Sequence, residues 1–248
     1  MTGSNIIVLI SGANRGLGRG LLEKYLAQPN HTVIAANRAP NPTTAKELQD
    51  LPTGPGSKVI IVKLDASVTE DAFNAVRELQ SEGIQHIDIV IANAGVSYKF
   101  LAVKDLEAKD MQDHLVPNVY GVVSLYQATR DLLNKAEKPK FITMGSSAGW
   151  LEKQHSIPNA AYGPTKAAVH WLTKRMDGEE DKITAFVTDP GWVQTDMGNN
   201  GARALGVGDM APLPIDDSVS GMKKVIDVAT KESHGGHLWG WDGQKQQW

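Results

Sequence analysis

The stretch Ile6-Ile-Val-Leu-Ile10-Ser-Gly-Ala-Asn-Arg-Gly-Leu-Gly18 joins a short aliphatic run directly to a turn rich in glycine. The run predicts a strand, and apolar residues at helical spacing after the turn predict a helix. Gly12 permits a tight turn, while Gly16 and Gly18 let a backbone approach a pyrophosphate at the N-terminus of the helix. Many strand–helix turns contain glycine, but this order directly after a strand indicates a nucleotide-binding α/β fold.

The rest of the chain continues the alternation of strands and helices. Strands are predicted at Asn5–Ile10, Thr32–Ala36, Val59–Leu64, Ile87–Ala92, Lys140–Met144, Ile183–Val187 and His237–Trp239. Helices are predicted at Arg19–Ala27, Thr44–Leu51, Val68–Gln80, Asp105–Leu133, from Tyr162 to about Met176, and at Ser218–Thr230. This alternation implies parallel pairing, right-handed crossovers and helices on both faces of a doubly wound sheet.

Residues 1–248 show no internal repeat and no linker, so the sequence predicts a single Rossmann-like α/β domain. Within it, residues 197–216 are rich in glycine and have no clear hydrophobic period. This composition predicts a mobile substrate-binding loop.

Composition excludes several kinds of site. The chain has no cysteine, which rules out disulfides, thiolate nucleophiles and sulfur-ligated metals and favours a cytoplasmic location. The net charge of −3 comes without a basic block, so no nucleic-acid partner is expected. His234 and His237 lack a third ligand nearby, and no metal site is predicted. The apolar runs are too short to span a membrane, and Met1–Asn5 does not resemble the start of an export signal.

The end of the second predicted strand distinguishes between nicotinamide cofactors. NAD sites carry an acidic residue there for the ribose, whereas an arginine accommodates the 2′-phosphate of NADP. Here Asn37 and Arg38 stand at that point without a carboxylate, and Arg15 lies inside the glycine turn. Either arginine alone fits a solvated surface residue. Both together predict NADP(H), because planar guanidinium groups suit a phosphate.

A second motif, Tyr162-Gly-Pro-Thr-Lys166, places a phenol and an ammonium group one helical turn apart. A neighbouring cation favours the phenolate, so Lys166 is expected to lower the pKa of Tyr162 and make it a general acid–base. Taken alone, the motif favours a buried tyrosine beside a solvated lysine. Because Pro164 cannot donate to the carbonyl four residues earlier, the helix is expected to begin near Tyr162, or else to direct that unpaired carbonyl toward water or the cofactor pocket.

Taken in order, the motifs resemble those of the short-chain dehydrogenase/reductase family over nearly the whole chain. They are Ser11-Gly12-x3-Gly16-x-Gly18, Asp65-Ala66, Ala92-Asn93-Ala94-Gly95, Asn118, Ser146, Tyr162-x3-Lys166 and Pro190-Gly191-Trp-Val193-x-Thr195. Within the family the chain is similar to the fungal norsolorinic-acid-ketoreductase-like and C-factor-like reductases. The resemblance implies about seven strands in the order 3-2-1-4-5-6-7. Ser11 and Ala92 depart from the family pattern, which has Thr and Asn at these positions.

The resemblance also implies the residues of the site. The catalytic ones are Asn118, Ser146, Tyr162 and Lys166. The cofactor-binding ones are Gly12, Asn14, Arg15, Gly16, Leu17, Gly18, Asn37, Arg38, Asp65, Ala66, Asn93, Ala94, Gly95, Tyr162, Lys166, Pro190, Gly191, Val193 and Thr195.

Each catalytic residue has an implied role. Ser146 would hydrogen-bond the substrate carbonyl oxygen, and Tyr162 would protonate it. Lys166 would hold the nicotinamide ribose, and Asn118 would hold a water that links Lys166 to solvent. A purely structural asparagine is the alternative for Asn118. Ser147 is the rival of Ser146, which is preferred because Ser146-x-x-Gly149 reproduces the family pattern and Ser147 would alternate to the other strand face.

The leading hypothesis is an NADPH-dependent ketoreductase that acts on a small carbonyl substrate. Aromatic residues near the predicted strand ends, Tyr98, Phe100, Trp150 and Trp192, suit a hydrophobic ketone such as an aromatic polyketide. Two alternatives stay open: an imine or enone reductase, with or without a coupled cyclisation, and a non-catalytic NADP-binding regulator. The resemblance also implies a homodimer or homotetramer that pairs through the helices of Asn118 and Tyr162.

Overall fold

The computed structural model describes residues 5–248. The prediction about an export signal in Met1–Asn5 therefore lies outside the described residues, apart from Asn5 itself. Among the helices of residues 5–248, none combines the length and the apolar character that crossing a bilayer requires.

A single sheet of eight strands runs through the described residues in the order β3-β2-β1-β4-β5-β6-β7-β8. The strands are β1 (Ile6–Ser11), β2 (His31–Asn37), β3 (Lys58–Lys63), β4 (Ile89–Ala92), β5 (Lys140–Met144), β6 (Thr184–Asp189), β7 (Leu238–Gly240) and β8 (Lys245–Gln246). All neighbours pair in parallel except β7 and β8. The predicted doubly wound order of the first seven strands is confirmed.

The eighth strand was not predicted, and it runs antiparallel to β7. A tight turn with Gly243 at φ +80° reverses the chain before it. A strand of two residues carries no readable period, which is why the sequence did not reveal it. The two outer strands carry exposed lysines, Lys58 and Lys63 on β3 and Lys245 on β8.

The helices cover both faces of the sheet. They are α1 (Gly16–Leu26), α2 (Pro42–Gln49), α3 (Thr69–Ser81), α4 (Ala108–Leu115), α5 (Gly121–Lys135), α6 (Gly163–Glu179), α7 (Asp196–Ala204), α8 (Ile215–Val228) and α9 (Lys231–His234). Side chains of α1 and α8 pack on one face, and those of α3, α5 and α6 on the other. Successive residues of β1 alternate between the two cores, which is why its sequence is apolar throughout.

Two predicted segments differ from the structure. The helix predicted over Asp105–Leu133 is divided, because a π-helical turn at Val116–Tyr120 separates α4 from α5. The loop predicted over residues 197–216 is partly helical, since α7 spans Asp196–Ala204 and α8 begins at Ile215. Glycine-rich residues form α7 because the Thr195 side chain caps it, accepting a hydrogen bond from Gly198 N at 3.1 Å. The mobility of this segment stays a prediction.

Candidate active site

The glycine turn between β1 and α1 depends on two different properties of glycine. Gly12 and Gly16 have positive φ angles of +69° and +55°, which other residues adopt only under strain. Gly18 instead packs tightly, because a Cβ atom there would lie 2.2 Å from Gly12 O. From the sequence, Gly18 was predicted to let the backbone approach a pyrophosphate. In the structure its missing side chain lets the turn fold onto the first turn of α1.

Ser11 and Asn93 hold this turn against the end of β4. Ser11 Oγ accepts hydrogen bonds from the backbone N–H groups of Asn93 and Ala94, both at 3.0 Å. Asn93 Nδ2 donates to Ser11 O at 2.8 Å and to Gly12 O at 3.3 Å. Ser11, which stands where the family has threonine, therefore keeps the hydroxyl that holds the turn. The Asn93 side-chain amide donates its hydrogen bonds to the same turn.

A cavity of about 790 Å³ runs along the carboxyl ends of β1 to β6. Every predicted site residue borders it except Gly18, Asn37 and Asn118. The structure thus brings residues 12, 14–17, 38, 65–66, 93–95, 146, 162, 166, 190–193 and 195 to one continuous surface. This position agrees with the general rule that ligands of open α/β sheets bind beyond the carboxyl ends of the strands.

The two predicted phosphate ligands lie at one end of this cavity. Arg38 is exposed after β2, and Arg15 is exposed in the glycine turn. Arg15 Nη1 lies 3.0 Å from Asp196 Oδ2, with both side chains more than 70% exposed. Asn37 is buried beside Arg38, and neither polar atom of its side chain has a hydrogen-bond partner within residues 5–248. Such an unsatisfied buried amide is uncommon.

Tyr162 occupies the N-cap position of α6, which begins at Gly163 and has Pro164 in its first turn. The helix starts where the proline argument placed it. Burial raises the pKa of the Tyr162 phenol above its ordinary value, and the neighbouring Ser146 side chain lowers that pKa by a smaller amount. The expected lowering of this pKa by Lys166 is not found: Lys166 is not among the groups that shift it, and the cost of burying a phenolate outweighs the contribution of Ser146.

Lys166 is buried one turn further along α6. Its Nζ donates a hydrogen bond to Met144 O at 2.8 Å and lies 5.4 Å from the centre of the Tyr162 ring. Burial lowers the pKa of Lys166 to about 8, against the effect of the Asp189 carboxylate, which raises it. The alternative in which Lys166 is a solvated surface lysine therefore does not hold. Tyr162 and Lys166 both border the cavity.

Ser146 and Ser147 form a short turn after β5, and both border the cavity. Ser146 Oγ accepts from Ala148 N at 3.2 Å, and the Ser146 side chain lies near enough to Tyr162 to lower its pKa. The backbone N–H of Ser147 donates to Asp189 Oδ2 at 2.9 Å. The Ser146 side chain, and not that of Ser147, acts on the pKa of the Tyr162 phenol, which favours Ser146 over its rival.

The side chain of Asn118 lies in the π-helical turn and is fully engaged. Its Oδ1 accepts from Val96 N at 2.8 Å, while Nδ2 donates to Val96 O at 2.9 Å and to Thr165 Oγ1 at 3.1 Å. The amide thus ties the segment after β4 to α6. These contacts describe the structural alternative, and the water relay implied by the resemblance stays a prediction.

The other end of the cavity is lined by aromatic and apolar side chains. Tyr98, Phe100 and Trp192 border it, together with residues from α7 such as Met197. Trp192 Nε1 donates to Gly198 O at 3.0 Å, which ties this wall to α7. Trp150 is not part of the wall and lies 5.9 Å from His155, ring centre to ring centre.

Sequence reasoning missed two buried residues beside the site. His170 follows Lys166 by one helical turn, and its Nε2 accepts from Ser146 N at 3.3 Å. Asp189 is the last residue of β6 and accepts from two backbone N–H groups. The sequence offered one signal for each residue. His170 lies four residues after Lys166, and Asp189 stands directly before Pro190-Gly191.

Comparison with known sequences agrees with this geometry. The sequence pattern of the family described as short chain dehydrogenase matches residues 6–205. The chain is 42% identical over 247 residues to the norsolorinic acid ketoreductase nor1 of Dothistroma septosporum, covering 97% of this chain and 91% of the relative. It is 38% identical to the norsolorinic acid ketoreductase of Aspergillus parasiticus, covering 94% of this chain and 87% of that protein.

A solved structure gives the same picture. The NADPH-bound carbonyl reductase from chicken fatty liver superposes with a TM-score of 0.85 at 28% identity, over 99% of this chain and 100% of that chain. The similarity therefore extends over the sheet, both helical layers and the strand ends that border the cavity.

Proposed function

Since the chain belongs to the short chain dehydrogenase family, we propose that it is an NADPH-dependent ketoreductase that reduces a carbonyl group of a hydrophobic substrate. The observation that carries the proposal is the convergence of Ser146, Tyr162 and Lys166 on one cavity with the glycine turn. Ketoreductases and a carbonyl reductase among the similar proteins support the same reaction class.

The residues at the phosphate end of the cavity fit NADP(H). Gly12 and Gly16 keep their backbone open to a pyrophosphate at the N-terminus of α1. Arg15 and Arg38 offer two guanidinium groups for a 2′-phosphate, and no acidic residue stands at the end of β2. The unpartnered amide of Asn37 adds a donor and an acceptor at the same place. Asp65, Ala66, Asn93 to Gly95 and Pro190 to Thr195 would hold the remaining parts of the cofactor.

The bound cofactor would supply the hydride that reduces the carbonyl carbon. Tyr162 gives its proton to the carbonyl oxygen, and its raised pKa keeps the phenol protonated at neutral pH. Ser146, which lies beside Tyr162, donates to the same oxygen as negative charge develops there. Lys166, whose pKa of about 8 lets it both hold and release a proton near neutrality, would bind the nicotinamide ribose and return a proton to Tyr162. Asn118 fixes α6 beneath these groups.

The substrate end suits a hydrophobic ketone, and we propose an aromatic, polyketide-like secondary metabolite. Tyr98, Phe100 and Trp192 present aromatic surface, and two of the similar proteins are named as ketoreductases of norsolorinic acid. A panel of aromatic and small polar ketones, followed by NADPH absorbance with NADH in parallel, tests the proposal. Reduction of small polar ketones alone would contradict the substrate class.

Two alternatives are separated by the same panel. Imines and enones in the panel identify a reductase of those groups, which accept hydride from the same donor. A regulator would bind NADPH tightly and oxidise none of the substrates. The regulator is disfavoured because it has no need for Ser146 and Tyr162 on the cavity wall beside a buried Lys166.

We also propose that the protein is a cytoplasmic homodimer or homotetramer. Trp171 on α6 and Tyr120 beside α5 are 66% and 54% exposed, and large exposed aromatic side chains are typical of interfaces. The cysteine-free sequence fits a reducing compartment. Light scattering of the wild type and of Trp171→Glu tests assembly, and a monomeric wild type at working concentration would refute it. Cell fractionation tests the location.

A further inference from the structure

In the turn that carries Ser146 and Ser147, the backbone N–H groups of these two serines donate to side chains and not to the backbone of a neighbouring strand. This segment follows β5 and forms a single 3-10 turn at Ser147–Gly149. Side chains from two other elements accept the backbone N–H groups at its start. His170 on α6 accepts from Ser146 N at 3.3 Å, and Asp189 at the end of β6 accepts from Ser147 N at 2.9 Å.

Asp189 also holds the turn on the far side of the cavity. Its Oδ1 accepts from Gly191 N at 3.0 Å, while Oδ2 accepts from Ser147 N. The two carboxylate oxygens therefore link the serine turn to the Pro190–Gly191 turn. Both turns border the same cavity, so the carboxylate fixes the separation between the group that meets the carbonyl oxygen and the segment opposite it.

Only a carboxylate satisfies both of these bonds. Each oxygen of an ionised aspartate accepts hydrogen bonds, whereas an asparagine has one acceptor and would turn an NH₂ group toward the second N–H. Asp189 is 4% exposed, so the lost bond would not be replaced by bulk water.

The opposite side of the turn is shaped around His170. A Cβ atom at Gly145 would lie 2.7 Å from His170 Nε2, and one at Gly149 would lie 3.0 Å from its Cε1. The imidazole occupies the space that side chains at both glycines would fill. Its pKa is lowered to about 3, by burial first and by the Lys166 charge second, so the ring stays neutral and Nε2 keeps a free acceptor.

On the strength of the proposed function, we propose that Asp189 is a positioning residue that locks the serine turn to the Pro190–Gly191 turn and so orients Ser146 toward Tyr162. His170 braces the same turn from α6. Asp189 contacts no reacting atom in this assignment and acts through Ser146. The residue directly before Pro190-Gly191 then contributes to turnover, not only to folding.

The charge of Asp189 provides a readout that a merely structural residue lacks. The charged and titratable groups that face it are Lys166 and Tyr162 from α6 and its N-cap, and His155 from the segment between β5 and α6. The carboxylate raises the pKa of both Tyr162 and Lys166. Removing its charge lowers both values, so the alkaline limb of the pH profile of reduction moves to lower pH.

The experiment compares Asp189→Asn with wild type in NADPH-dependent reduction of the best ketone in the panel. We expect kcat to fall by roughly 10- to 100-fold, the usual effect of losing one hydrogen bond to a charged group. The alkaline limb shifts to lower pH, and hydrogen exchange quickens in the peptide covering residues 145–150. Unchanged kcat, within about twofold, with an unmoved alkaline limb would overturn the proposal.

Asp177→Asn is the matched control. Asp177 Oδ1 also accepts a backbone N–H of β6, from Ala185 at 3.0 Å, but it lies outside the cavity. This variant is expected to lose stability and leave the alkaline limb in place. A shift of the limb equal to that of Asp189→Asn would show a general effect of lost charge and would overturn the assignment.

A second pair of variants serves if Asp189→Asn does not fold. Ser147→Pro removes the N–H that Asp189 accepts, at the first position of a 3-10 turn where proline is tolerated. Ser147→Ala removes only the hydroxyl. A kcat for Ser147→Pro at least tenfold below that of Ser147→Ala supports the proposal, and equal values overturn it.

Failure of the proposed function gives a different result. A wild type that binds NADPH but reduces nothing in the panel removes the ketoreductase. Faster exchange of residues 145–150 in Asp189→Asn would then still establish the link between the two turns, and unchanged exchange would exclude it.

Discussion

Lys166 Nζ donates a 2.8 Å hydrogen bond to the carbonyl oxygen of Met144, the last residue of β5. The ammonium group therefore lies on the strand end that leads into the serine turn, 5.4 Å from the centre of the Tyr162 ring. Met144 O holds the lysine within the cavity wall, so its ionisation is set by burial.

This burial predicts a pH dependence of stability. The pKa of Lys166 is lowered from 10.5 to about 8 in the folded protein. Between these values the unfolded chain binds a proton that the folded chain does not, so this residue makes the free energy of unfolding rise with pH, by up to about 1.4 kcal/mol per pH unit. Above pH 10 the raised pKa of Tyr162 acts in the opposite direction.

Urea unfolding at pH 7.5, 8.5 and 9.5, values chosen to span that window, would measure the effect. Lys166→Met is expected to remove much of the rise, and Lys46→Met, an exposed lysine paired with Asp50, serves as the control. Equal slopes for wild type and Lys166→Met would contradict the buried position.

Replacing the proposed acid tests the chemistry directly. Tyr162→Phe keeps the ring in the α6 cap but removes the proton, so turnover is expected to fall by roughly 10²- to 10⁴-fold. The dissociation constant for NADPH, followed by fluorescence, should change little. Tyr120→Phe removes an exposed phenol outside the cavity and is the control. Turnover near wild type in Tyr162→Phe would contradict the assignment of Tyr162 as the general acid.

Cofactor preference is expected to depend most on Arg38. Arg38→Ala should weaken NADPH binding by about 10- to 100-fold, the worth of one hydrogen bond to a charged group, and leave NADH binding unchanged. Arg15→Ala should have a smaller effect, because Asp196 already shares its guanidinium group. Titration of both cofactors measures these changes, with the exposed Arg77→Ala on α3 as control. Equal losses for NADPH and NADH in Arg38→Ala would count against a 2′-phosphate site.

Two glycines predict opposite effects of the same substitution. Gly18→Ala places a Cβ 2.2 Å from Gly12 O and 2.6 Å from Asn93 Nδ2, so the free energy of unfolding is expected to fall by about 1–3 kcal/mol through overpacking. Gly178 in α6 has no atom within 4 Å of an added Cβ, and Gly178→Ala should stabilise by up to about 1 kcal/mol through helix propensity. Thermal melts compare the two, and a stable Gly18→Ala would show that the turn can relax.

Local rules were enough to predict the parts of the site that depend on backbone conformation. Gly12 and Gly16 occupy positive φ angles that their residue type suggests, and Pro164 locates the start of α6. The order of seven strands followed from the family resemblance. These features are set by neighbouring residues or by the alternation of elements.

The parts that sequence reasoning missed are set by contacts between distant elements. Nothing local to Lys166 shows that Met144 O would accept a hydrogen bond from its ammonium group, or that burial would raise the pKa of Tyr162. His170 and Asp189 gain their roles only when α6 and β6 meet the serine turn. The helix α7 was missed because its stability comes from the Thr195 cap and not from an apolar period.

The lysines on the outer strands bear on how the protein behaves when concentrated. A chain that added a strand to β3 would meet Lys58 and Lys63, and β8 offers only two residues for pairing. Charged and very short outer strands discourage fibrillar growth. The edges of the sheet are therefore poor sites for the addition of strands from other molecules. Concentrated solutions are expected to remain free of amyloid-like deposits.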